Sequence, residues 1–146
     1  MSTDTVWPAG FPTPVKDVIL LFFSLADDKS STAGPRLADE VFTPTGLMKN
    51  GAAKFEGTAE ISKSREKAWD AYESRKHSVI KVFTHGDKAD DLVVLGSLDA
   101  GFKNGKSAVG GFCVRIKVEG AEGSKPRLGL YEVFADHGPF VAAMKA

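Results

Sequence analysis

The sequence predicts an α+β protein in two layers, with helices first and a curved antiparallel sheet laid over them. Three observations carry this. Apolar residues recur at helical spacing from Val15 to Leu25. Period-two alternation takes over beyond residue 77, where β-rich segments are separated by short turn-forming stretches at 84–91, 103–106 and 119–126. Consecutive strands joined in this way form a meander. Nothing resembling a linker divides the 146 residues, so 1–146 is expected to be a single domain with 1–13 as an N-terminal arm.

Taken in order, the arm is rich in Pro and Gly and carries Trp7 and Phe11, which suits a segment lying on the body of the protein. Pro14 opens the first helix, whose apolar face is Val15, Val18, Ile19, Phe22, Phe23 and Leu25; Asp27-Asp28-Lys29 ends it. A shorter helix fits 34–42, with Pro35 in its first turn. Residues 43–46 read as a turn, and Asn50-Gly51 as a hairpin between short strands at 47–49 and 53–55. Thr58 is the expected N-cap of a third helix whose face is Ile61, Ala68, Trp69 and Tyr72. That helix would deliver His77 to the first residues of a strand over 77–83. Strands then follow at 92–102, 107–118 and 127–135, and 139–146 is a tail with a final helical turn.

Composition excludes several classes of function. Lys plus Arg and Asp plus Glu balance at 19 each, unlike the basic excess of a nucleic-acid binder. The single cysteine, Cys113, allows no internal disulfide, and no Cys/His spacing suits a metal. A reducing, cytoplasmic setting is therefore expected. The longest apolar cluster, at 18–26, falls short of the roughly 20 residues that span a bilayer, and 1–14 lacks the pattern of a secretory signal. The Gly-rich 101–111 has no strand-loop-helix context for a phosphate loop, and no Gly-x-Ser-x-Gly elbow is present.

Among residues that could carry chemistry, His77 has the side chain suited to proton transfer near neutrality. Simple alternation along 127–135 puts Glu132 on the apolar face with Leu128, Leu130 and Phe134, where a carboxylate must be paired or neutralised. The same parity sends Tyr131 to the convex side. Arg36 sits near a helix N-terminus, where it is either solvated or aimed at an anion, a pair with Glu132 being one such arrangement. Asp99 lies on a strand whose two faces are both largely apolar. His85 and His137 fall in turns and are expected to be solvated.

Several stretches together resemble the SnoaL-like branch of the NTF2-like superfamily, in particular small fungal polyketide and terpenoid cyclases and isomerases. They are Leu21-Phe22-Phe23-Ser24-Leu25-Ala26-Asp27, Phe42-Thr43-Pro44-Thr45-Gly46, Phe55-Glu56-Gly57 leading to Ile61 and Trp69, Ser74-Arg75-Lys76-His77, Phe112 to Arg115, and Tyr131 to Asp136. The resemblance implies a cone in which a bent sheet wraps a pocket. It also implies a cofactor-independent isomerase, cyclase or dehydratase with no metal, binding an apolar oxygenated small molecule. The catalytic candidates become His77, Glu132, Asp99 and Arg36, and the substrate-binding candidates Tyr72, Trp69, Phe112, Phe22 and Phe23. Relative to the family pattern, Glu132 stands where Gln is usual and Phe112 where Trp is usual. A homodimer through the convex face, using Val109 and Val133, is expected as well. Because folds host unrelated functions, a non-catalytic binding or dimerisation module is the alternative.

Overall fold

The computed structural model describes residues 4–146. The arm is tied down by one parallel bridge, Val6 to Lys81, and Trp7 stacks near Phe11 at 5.2 Å. Its first three residues lie outside the described ones. Helix α1 (Thr13–Ala26) has Pro14 in its first turn and buries Val15, Val18, Ile19, Phe22, Phe23, Leu25 and Ala26, the face that the spacing predicts. The second helix is more irregular than expected. One α-turn, α2 (Ala33–Arg36), continues as a π-helical turn over Leu37–Val41, and Phe42 already belongs to a strand.

Two further expectations are corrected. Residues 43–46 are not a turn but part of β1 (Phe42–Asn50), whose pairing with β6 breaks register between Phe42 and Leu47. Pro44, which cannot donate to a ladder, sits inside that break. The hairpin at Asn50-Gly51 leads to β2 (Ala53–Glu56) as predicted, with Gly51 at φ 60°. The third helix is only half as long as its apolar spacing suggests: α3 spans Gly57–Lys63, and residues 64–72 form successive turns closed by i→i+3 bonds. Ser64 and Arg65 occupy the positions one turn after Ile61, so the apolar stripe is interrupted. The Ser64 hydroxyl also donates to the Ile61 carbonyl at 2.6 Å, competing with continuation of the helix.

Strands β3 (Tyr72–Thr84), β4 (Asp91–Phe102), β5 (Ser107–Glu119) and β6 (Arg127–Ala135) form the expected antiparallel meander. Tyr72 therefore opens a strand instead of closing a helix, and His77 lies well inside β3. The sheet order is β2-β1-β6-β5-β4-β3, with β1 parallel to β6. Register shifts at 72–74 and 79–81 of β3, and at Gly129 of β6, bend the sheet around α1. The core lies between them, with Phe23, Ile19, Leu37, Ile61, Val94, Val114, Ile116 and Leu128 sealed from solvent. Helix α4 (Gly138–Lys145) extends the predicted final turn and lays Phe140 against Gly110.

Candidate functional site

At the open end of the bent sheet is a cavity of about 250 Å³. Its walls include Phe22 from α1, Met48 from β1, Arg65 and Ala68 from the turns after α3, Tyr72, Arg75 and His77 from β3, Leu98 from β4, Phe112 from β5, and Tyr131 and Val133 from β6. His137 and Phe140 complete the rim.

His77 is the buried polar group of this cavity, 8% exposed. Its ring lies 5.4 Å from that of Phe23 and 5.6 Å from that of Phe112, so its surroundings are apolar. Asp27, the residue that caps the C-terminus of α1, takes both available bonds from it. The His77 backbone N–H donates to Asp27 Oδ2 at 2.8 Å, and ring Nδ1 meets Oδ1 at 2.5 Å. The carboxylate thereby assigns the proton to Nδ1, leaving Nε2 as the basic nitrogen. No protein partner takes Nε2 among the described residues.

Arg65 and Arg75 stand beside this pair. Arg65 donates through Nη2 to the Ala26 carbonyl at 2.7 Å, and Arg75 through Nη1 to that of Ala68 at 3.1 Å. The Arg75 guanidinium carbon lies 4.5 Å from the Tyr72 ring centroid and 5.7 Å from that of Trp69. Burial, followed by repulsion from Arg75, pushes Arg65 down to about 10, and burial lowers Arg75 in the same direction. Tyr131 is stacked on Phe22 at 3.9 Å, and burial holds its phenol far above the ordinary range, so it stays neutral.

The sequence-derived candidates divide sharply. His77, Tyr72, Phe112 and Phe22 line the cavity. Phe23 does not, being fully buried behind His77. Trp69 is displaced from the wall and forms a platform between Lys29 and Arg75. Arg36 points outward and bonds Glu40 at 2.6 Å, one helical turn on, instead of Glu132. Asp99 is exposed because its strand alternates with Leu92, Val94, Ala100 and Phe102 inward. Glu132 is outside the cavity too and pairs with Lys49 at 3.4 Å.

The cause of that last reversal is Gly129. Val118 pairs with Leu128 and Lys117 with Leu130, so Gly129 is an extra residue that flips the parity of everything after it. Tyr131 and Val133 turn inward, and Glu132 and Phe134 turn out. His137, expected to be solvated, lies at the rim. Sequence reasoning missed Asp27, Arg65 and Tyr131, and gave Arg75 no role in the site. The available signals were a carboxylate at the end of an apolar helix, a cation inside an otherwise apolar stripe, and a glycine within a strand.

No protein-family model and no curated protein matches the sequence. Solved structures do. A protein of Jannaschia sp. CCS1, named for the SnoaL-like polyketide cyclases, superposes with a TM-score of 0.73 at 14% identity, over 95% of this chain and 96% of that one. The fold is NTF2-like. TerC, crystallised with polyporic acid, shares this NTF2-like fold with a TM-score of 0.67 at 15% identity, covering 92% of this chain and all of its own. A type 2 hexachlorocyclohexane dehydrochlorinase, LinA, gives 0.67 at 11% identity over 84% and 83%.

Proposed function

We propose that this NTF2-like protein is a cofactor-independent enzyme that moves protons on an apolar, oxygenated small molecule, in an isomerisation, cyclisation or dehydration. The observation that carries the reading is the Asp27–His77 pair, with Nε2 of His77 left to a cavity walled partly by Phe22, Leu98 and Phe112. Nε2 takes a proton from a carbon next to a carbonyl. Asp27 stabilises the imidazolium that results, and the neutral phenol of Tyr131, which lines the same cavity, donates to the developing enolate oxygen. Such chemistry needs only positioning and electrostatics. The polyketide-cyclase and dehydrochlorinase names among its fold relatives belong to reactions of this broad kind.

The test is proton exchange in deuterated water. A panel of bicyclic enolisable ketones is incubated with the protein and followed by NMR, comparing wild type with His77→Gln and Asp27→Asn. Exchange that depends on both residues supports the reading; exchange equally fast in both variants overturns it. A non-catalytic binding module is the second reading, favoured by the size of the cavity, which at about 250 Å³ lies just below the usual range of roughly 300–1,000 Å³. It predicts ligand binding without exchange.

A homodimer is also proposed, through the convex face. There Leu95, Cys113 and Phe134 lie side by side across β4, β5 and β6, flanked by exposed Val93 and Val109. Val133, which faces the cavity, takes no part in that surface.

A further inference from the structure

We infer that the ligand of this cavity is an organic anion, an aromatic carboxylate or an acidic enol, whose negative oxygens are received by Arg65 and Arg75. The inference rests on the cavity being the working site and names what enters it. Two guanidinium groups line the cavity, and no Asp or Glu side chain does among the described residues. This occurs in a chain whose charges, these two included, balance at 19 of each sign.

Arginines buried for structural reasons are normally matched by a carboxylate or by several carbonyls. Here neither has a carboxylate within 4.0 Å among the described residues, and each spends one N–H of its five on a single carbonyl. Nε of both is buried with no partner. Asp27, the nearby carboxylate, is already engaged twice by His77. Arg65 remains protonated at neutral pH even with its pKa at about 10, so two cations face the cavity with no ion-pair partner within 4.0 Å among the described residues, Asp27 acting on them only from a distance. A planar guanidinium is built to receive a carboxylate through two parallel bonds, and Tyr72 and Trp69 hold the Arg75 plane from the side. Phe22, Phe112 and Leu98 supply the apolar wall for the body of the ligand.

The two roles then divide across the cavity. Arg65 and Arg75 are positioning residues that fix the anionic end, while His77 acts on a carbon farther along the same molecule. Uncharged ketones of the same shape are poorer ligands, because they leave both guanidiniums desolvated and unpaired.

Calorimetry with 1-naphthoate and its uncharged analogue 1-naphthamide tests this on the whole protein. Wild type is expected to bind naphthoate at least about tenfold more tightly than naphthamide, a difference of one decade in Kd. Arg75→Gln and Arg65→Gln should erase the preference, Arg75→Lys should keep part of it, and His77→Gln should leave it intact. Equal affinity for the two probes, or no saturable binding of naphthoate up to about 1 mM, overturns the inference. The wild-type ratio decides the matter alone if an arginine variant does not fold. Failure of the acid/base reading looks different: proton exchange would persist in His77→Gln whatever the affinity ratio.

Discussion

Asp27 is where the fold and the chemistry meet, and its replacement separates the two. In Asp27→Ala both bonds from His77 disappear, and a backbone N–H and a ring N–H are left without an acceptor. A hydrogen bond to a charged group contributes about 1.5–3 kcal/mol. Because the Asp27 side chain is 19% exposed, the lower end applies, giving a loss of about 3 kcal/mol. With a urea slope of about 1–3 kcal/mol/M, the midpoint should fall by roughly 1–3 M at constant slope. Asp27→Asn is more selective. Its amide oxygen can still accept the His77 backbone N–H, but its amino group presents hydrogens to Nδ1, so the ring proton must move to Nε2. Stability should drop by about half as much, while the base is lost. Nitrogen-15 NMR of the imidazole reads the tautomer directly. The reasoning is refuted if His77 keeps its proton on Nδ1 in Asp27→Asn, or if Asp27→Ala unfolds at the wild-type urea concentration.

Other expectations follow from packing, burial and exposure. A Cβ on Gly96 would lie 2.3 Å from Cζ of Phe112 and 2.8 Å from both Cε atoms, so Gly96→Ala should cost about 1–3 kcal/mol by denaturation, and much less in a Phe112→Ala background. Tyr131 stays un-ionised when folded, whereas its unfolded value is 10.0; its contribution to stability is complete below pH 10 and falls as pH rises beyond it, which denaturation curves at high pH compared with Tyr131→Phe will show. Phe134→Glu places a charge at the middle of the exposed apolar row on the convex face; sedimentation should shift from dimer to monomer with the fold unchanged by circular dichroism.

Much of the scaffold was legible because it rests on strong local signals. The face of α1, the Asn50-Gly51 hairpin and the three turns of the meander are written in short stretches whose chemistry admits few alternatives. The site was less so, because its groups come from places where local rules give way to tertiary ones. Asp27 looks like a polar helix stop until the sheet brings His77 to it from 50 positions away. Arg65 looks solvated until the chain turns after Lys63 and folds its guanidinium over the end of α1. The Glu132 expectation failed for a sharper reason: alternation was read straight through Gly129, and one unpaired residue exchanges the faces of all that follow. Arg36 and Asp99 offered no alternation or pairing in the sequence that fixed their direction.

That single unpaired residue has a meaning for how such pockets diversify. With Gly129 bulged out of the ladder, the wall contributed by β6 is a neutral phenol; with residue 129 paired in a regular register, the same strand would present a carboxylate at 132 opposite two guanidiniums. Loss of the bulge, with residue 129 drawn into the ladder, would thus invert the polarity of the chamber while every side chain with chemistry stayed in the gene. Gain or loss of a bulge at this point of the strand is a route by which proteins sharing one cone can come to accept oppositely charged molecules, with no substitution at any residue that touches them.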